Sequence, residues 1–107
     1  MKIPTNIPVK GAFYYHYKHN PNGSMNNYVY QVVGVGYHTE EDDVHFVVYQ
    51  PIYESSVYKA GKFFDIRPLE MWMGNVEIDG ESVSRFTLIT DEKVIEGLTR
   101  IRDEMYK

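Results

Sequence analysis

The chain has 107 residues, no cysteine, a formal charge of −4 and a mean hydropathy of −0.43. That length predicts a single domain over residues 1–107, large enough for one modest core without a staple. The missing cysteine excludes disulfides and thiolate zinc sites and fits a reducing, cytoplasmic setting. No apolar run approaches the roughly 18 residues that a membrane span needs, and MKIPTNIPVK lacks the apolar segment of a secretion signal. The acidic balance supplies no general field for long nucleic acid, although a local basic patch remains open. Ten tyrosines exceed what a small core needs, so some belong at the surface. Tyrosine is a favoured contact residue there, and also simply a good strand former.

In chain order, residues 1–9 contain Pro4 and Pro8, which have no amide hydrogen for a ladder, and read as an extended arm. Residues 10–18, KGAFYYHYK, read as the first strand. Period-two alternation separates Phe13, Tyr15 and Tyr17 from Tyr14, His16 and Lys18, and the aromatic trio is expected to face the core. Residues 19–27, HNPNGSMNN, are turn formers and read as a loop. Residues 28–38 and 44–50 form two β-branched and aromatic runs joined by the acidic turn TEEDD, a hairpin signature. Runs so apolar on both faces predict the centre of a curled, closed sheet.

Gly34 and Gly36 share one face of the second strand and leave a bare stripe where the sheet can bend or another chain can approach. A phosphate-binding loop is excluded there, since the third glycine and a following helix are missing. The acidic turn lacks the glycine and closing glutamate of a calcium loop. Pro51 predicts that pairing lapses and that Tyr53 faces a more open region. Residues 54–62 read as a second loop turning at Gly61, residues 63–67 as a short fourth strand, and residues 68–73 as one helical turn begun by Pro68. That turn is expected to pack Leu69 and Trp72 inward. Residues 76–89 read as a last hairpin reversing at Asp79-Gly80.

From Thr90 the period changes. Val94, Ile95, Leu98, Ile101 and Met105 recur at helical spacing, with Thr90 or Asp91 as N-cap and basic residues toward the C-terminal end. Gly97 costs about 1 kcal/mol in a helix interior and predicts a close packing contact or a weaker helix. The apolar stripe needs cover, either from the sheet or from a second copy in a homodimer.

Several short segments carry a family resemblance. They are Tyr14, His16, Tyr17 and Lys18; Gly34 and His38; Val47, Val48, Tyr49 and Tyr53; Arg67, Pro68, Met71 and Trp72; and Asp79-Gly80 with Arg85-Phe86. In this order they resemble an uncharacterised family of small bacterial domains, domain of unknown function sixteen fifty-three, over most of residues 10–89. The resemblance implies a small SH3-like barrel of about five antiparallel strands with a C-terminal α-helix at 90–107, and it implies no activity. The chain departs from the family pattern in a longer loop after Lys18, an insertion near residues 59–62, Phe64 in place of a tryptophan, and the helix beyond the core.

Candidate binding residues are His16, Lys18, His38, Tyr49, Tyr53, Arg67 and Glu70, from segments that a barrel brings to one cleft. Each has a structural alternative: His16 as an outward strand residue, and Arg67 with Glu70 as an i, i+3 ion pair. His16, His19, His38 and His45 show no paired spacing, so no metal or other cofactor is expected. Ser55 and Ser56 lie in a loop without a nucleophile elbow. The expectation is therefore a binding module for a small anionic or aromatic ligand or a peptide. The alternative is a small enzyme with His16 or His38 as acid or base and Arg67 as anion anchor.

Overall fold

The computed structural model describes residues 6–61 and 64–107. Its elements are β1 (Phe13–His16), β2 (Val29–Tyr37), β3 (His45–Pro51), α1 (Ser56–Lys59), β4 (Asp65–Pro68), α2 (Leu69–Trp72), β5 (Asn75–Ile78), β6 (Glu81–Ser84), β7 (Phe86–Leu88) and α3 (Glu92–Met105). The chain is mainly β with a C-terminal helix, as its sequence indicates. Among the described residues, no helix is long and apolar enough to cross a membrane. The expected positions of Pro4, Lys62 and Phe63 lie outside the described residues.

The predicted central hairpin forms, with β2 paired to β3 from Tyr30–Pro51 to Tyr37–His45. The main sheet runs β4-β3-β2-β1-β7 and is antiparallel throughout, while β5 and β6 make a separate two-stranded sheet. The expected barrel closure does not occur. β4 and β7 remain the margins of an open sheet, because β7 has three residues and β4 ends on Pro68, where the chain turns into α2. The sheet is nonetheless sharply curled. A register shift between Val32 and Gly34 leaves Val33 as an extra residue in β2, and a bulge of this kind increases local twist. No atom lies within 4 Å of where a Cβ on Gly34 or Gly36 would stand, so the glycine stripe is uncovered as well as bent.

Curling brings side chains from the two margins together. Trp72, which follows β4, stacks on Phe86 of β7 at 3.6 Å between centroids and 6° between planes. Tyr14 and Tyr49 meet the same indole edge-on at 5.4 and 4.9 Å. With Val32, Val47 and Leu69 these rings form one core. A second core lies on the opposite face, where Phe13, Val29, Ile52 and Ile89 pack against Leu98 of α3. β1 is therefore covered on both sides. The expectation that Phe13, Tyr15 and Tyr17 alone face the core fails for this reason: Tyr14 and His16 are buried on the other face.

Two further differences are local. Residues 54–62 contain the helical turn α1, started by Ser55, whose hydroxyl accepts from the Tyr58 N–H at 3.3 Å. The last hairpin is two structures. β5 and β6 reverse at Asp79-Gly80, both with positive φ as a type I′ turn requires. The chain then changes sheet at Arg85. Its N–H donates to Gly74 O at 3.1 Å on the hairpin side, and its C=O accepts from Tyr17 N–H at 2.9 Å on the main-sheet side.

α3 docks through the predicted stripe. Leu98 is fully buried, and Val94, Ile95 and Ile101 pack around it, so the chain's own sheet covers this face. Asp91 is the cap, its Oδ1 accepting from Lys93 and Val94 N–H at 2.9 and 3.4 Å. The glycine in the helix has its packing reason: a Cβ at Gly97 would stand 2.5 Å from Met25 Cε, which the loop of residues 19–27 lays across the helix. That loop is tied by Asn27, which takes the Asn20 N–H at 2.8 Å and donates to Asn20 O at 2.9 Å.

Trp72 is 2% exposed, so Trp72→Ala is expected to destabilise the domain by about 3–5 kcal/mol in urea denaturation. An unchanged midpoint would contradict its place at the centre of the core. Gly97→Ala is expected to gain about 1 kcal/mol of helix propensity when Met25 is already trimmed to Ala, and less in the parent, where Met25 Cε must move. Equal gains in both backgrounds would show that the loop does not rest on Gly97.

Candidate functional site

β1 fixes His16 by pairing on both sides. Its backbone N–H donates to Tyr28 O at 3.0 Å, and it sits opposite Phe86 in the β1–β7 register. The imidazole is 8% exposed. It meets Phe86 edge-on at 5.1 Å, lies near Tyr30 at 6.3 Å, and is stacked against Tyr28 at 5.9 Å and 27°. Nδ1 accepts the Lys18 backbone N–H at 3.2 Å, which places the proton of the neutral ring on Nε2.

β4 sends Arg67 to the same place. Its Nε donates to the Tyr49 hydroxyl at 3.1 Å, its Cζ lies over the Phe86 ring at 5.3 Å, and Nη1 points to Met71 Sδ at 3.7 Å. The hydroxyls of Tyr30 and Tyr53 share a 2.5 Å hydrogen bond, and Tyr28 tilts against Tyr53 at 5.6 Å. The result is a cluster of rings, buried at His16, Tyr49 and Phe86 and more open at Tyr28, with one guanidinium beside it. The ion pairs among the described residues lie elsewhere, as Arg100–Glu96, Arg102–Asp103 and Lys107–Glu104. Arg67 therefore keeps part of its donor fork without a carboxylate.

The electrostatics agree with this placement. Burial, then the positive charges of Arg67, Lys18 and Arg85, lower the His16 pKa to about 4, so the ring is neutral near pH 7. Burial raises Asp65 above the ordinary carboxylate value while Arg67 opposes that shift. Burial also raises Tyr30 and Tyr53, which keeps both phenols protonated. Arg67, Lys18 and Arg85 all act on the His16 ring in an otherwise acidic chain, and the Asp65 carboxyl, on which Arg67 also acts, has its own pKa raised.

Of the residues singled out in the sequence, His16, Tyr49, Tyr53 and Arg67 come together, and Lys18 sits at the margin with Nζ 6.0 Å from the Tyr17 ring. His38 and Glu70 do not join them. His38 Nδ1 accepts the N–H groups of Glu40 and Glu41 at 3.0 and 3.1 Å and so shapes the acidic turn. Glu70 lines a separate cavity of about 340 Å³ with Asp43, His45 and Leu69. The Arg67–Glu70 ion pair does not form, because Arg67 is on a strand and the helical spacing begins only at Leu69. Tyr28, Tyr30, Asp65, Arg85 and Phe86 were not among the candidate binding residues, although Arg85-Phe86 carries part of the family resemblance. Tyr28 and Tyr30 share the face of Tyr14 and His16 by period two, a signal concealed because the face of Phe13 and Tyr15 is a core face as well. Phe86 has no local signal. Among the described residues, no three His, Asp or Glu side chains converge as metal ligands would.

The His16 shift carries a pH dependence with a definite sign. The folded pKa, about 4, lies below the ordinary 6.5, so folding excludes a proton that the unfolded chain accepts. Stability is full above pH 6.5, falls as pH drops toward 4, and levels off below that, with a loss from this group of at most about 3 kcal/mol. In His16→Gln, the loss in melting temperature between pH 7 and pH 4.5 is expected to shrink. An unchanged loss would remove His16 as its source.

A search of curated proteins and a search of solved structures each returned no match to this chain. A family model does match, over residues 12–88, a span that includes every strand of both sheets and stops before α3. The chain belongs to the family described as protein of unknown function, DUF1653.

Proposed function

We propose that the domain is a binding module that holds a small anionic ligand with aromatic character on the face formed by His16, Tyr49, Tyr53 and Arg67. One observation carries this reading: Arg67 is oriented by the Tyr49 hydroxyl and the Phe86 ring, with no carboxylate in ion-pair range among the described residues. A guanidinium steered by a hydroxyl and a ring, with the Asp65 carboxyl near enough to feel its charge but outside ion-pair range, keeps part of its fork available for a carboxylate or phosphate. Binding is favoured over acid–base chemistry by the state of His16. The ring is neutral near pH 7, its Nδ1 is occupied by Lys18 N–H, and what it offers a ligand is the Nε2–H donor.

The test is thermal shift against a panel of phosphates and carboxylates at low salt. A ligand present at about ten times its dissociation constant is expected to raise the melting temperature by roughly 5 °C. Arg67→Gln is expected to abolish the shift, and 0.5 M salt to reduce it. If no anion stabilises either protein while Arg67→Gln simply melts earlier, Arg67 is a structural bridge between the sheet margins and the reading fails.

A further inference from the structure

We infer that the sheet face opposite Arg67 docks an amphipathic helix of a partner protein, laid beside α3 with its basic residues toward the acidic turn. This surface is separate from the anion-binding face above. Val47 and Tyr49 of β3 point into the Trp72 core, so Phe46 and Val48 point to the other face. Their cross-strand neighbours there are Gly36 and Gly34 on β2, and Pro68 and Ile66 on β4. α3 packs instead on Phe13, Val29, Ile52 and Ile89, toward the β1 side of the same face. Ile66 is 66% exposed, and Phe64, in line with it by period two, is 55% exposed. Phe46 and Val48 are half-buried, and the space over Gly34 and Gly36 is empty to 4 Å. The open half is an apolar ridge on β4 beside a glycine floor on β2.

Dimensions and charge select the occupant. Five strands about 4.8 Å apart make a face roughly 19 Å across, and a helix is about 10 Å wide, so α3 leaves room for one more. Bare glycines let its backbone approach closely. The floor ends at the turn of residues 38–44. His38 continues the line of Gly34 and Gly36, its ring 6.2 Å from that of Phe46, and its Nδ1 accepts from Glu40 and Glu41 N–H. Glu70 borders the same end, in the cavity with His45 and Pro68. The carboxylates of Glu40, Glu41, Asp42 and Glu70 enter none of the ion pairs among the described residues. At the other end Lys107 lines a cavity with Gln50 and Phe64 and is paired with Glu104. The unpaired acids therefore gather at one end of an apolar floor, which a helix with an apolar face and Lys or Arg at one end complements. A second copy of the chain fits worse. A two-fold axis along β3 that seats its Ile66 ridge on this floor brings both acidic turns to the same end, where they repel.

Fluorescence anisotropy with three labelled peptides, each about four helical turns long, tests this. One has a leucine face and lysines at one end, one carries glutamates in place of the lysines, and one scrambles the lysine sequence to remove the face. The lysine peptide is expected to bind the parent at least about tenfold tighter than either of the others. Ile66→Asn is expected to weaken it about tenfold. Gly34→Val, which fills the floor, is expected to weaken it as well, with the melting temperature unchanged or raised. Glu40→Gln with Glu41→Gln weakens the lysine peptide, whereas Glu77→Gln with Glu81→Gln, the same charge change on the β5–β6 hairpin, does not. Arg67→Gln leaves its affinity unchanged. Binding of no peptide, equal binding of the lysine and glutamate peptides, or equal weakening by the two glutamate pairs overturns the inference. So does unchanged affinity in both Ile66→Asn and Gly34→Val. Sedimentation that shows a dimeric parent and a monomeric Ile66→Asn also overturns it, since a second copy then covers the face.

Discussion

The stack of Trp72 on Phe86 is the contact on which the remaining architecture depends. It joins the segment after one margin of the sheet to the strand that forms the other, at 3.6 Å and nearly parallel. Hydrogen bonds do not close this sheet; two rings do. Tyr14 and Tyr49 approach the indole by their edges, the arrangement that ring quadrupoles favour. Arg67 reaches Phe86 only because the margins are held this close, so the candidate site exists as a consequence of the core beneath it.

The sheet has cores on both of its faces. Leu98 and its helix seal one side, and the Trp72 cluster seals the other. A strand between two apolar layers tolerates few polar side chains, and those it carries must be satisfied. Gln31 is the instance. It is buried beside Phe13, donates to Gly11 O and accepts from Gln50 Nε2, both at 3.0 Å. No buried side-chain nitrogen or oxygen among the described residues lacks a partner.

What the sequence disclosed follows from this layering. Elements fixed by local chemistry were legible: the hairpin of β2 and β3, the Asp79-Gly80 turn, the helical turn after Pro68, and the Leu98 stripe with its Asp91 cap. Elements fixed by long-range geometry were not. Alternation reports which residues share a face, but it cannot rank two faces that are both buried, and so β1 was assigned with Tyr14 and His16 outward. Arg85 carries no turn former, and its change of sheet depends on Gly74 and Tyr17, neither adjacent to it. Closure was overestimated because five strands are enough to curl, while only the lengths of the margins decide whether they pair. Of the candidate binding residues, His16, Tyr49, Tyr53 and Arg67 were chosen by residue type and lie in one neighbourhood. His38 and Glu70 lie apart from them, because the open sheet keeps separate the strand ends that barrel closure would have gathered.

An open sheet presents unsatisfied backbone at its margins, and neighbouring molecules in a crowded solution can extend it. Here β4 has four residues and ends on proline, and β7 has three. A foreign strand would find about one pair of hydrogen bonds at either margin before the template ran out. Short borders of this kind are how natural sheets avoid polymerising. The same brevity that prevents a barrel therefore limits strand addition at either margin, where Ile66 is exposed on β4.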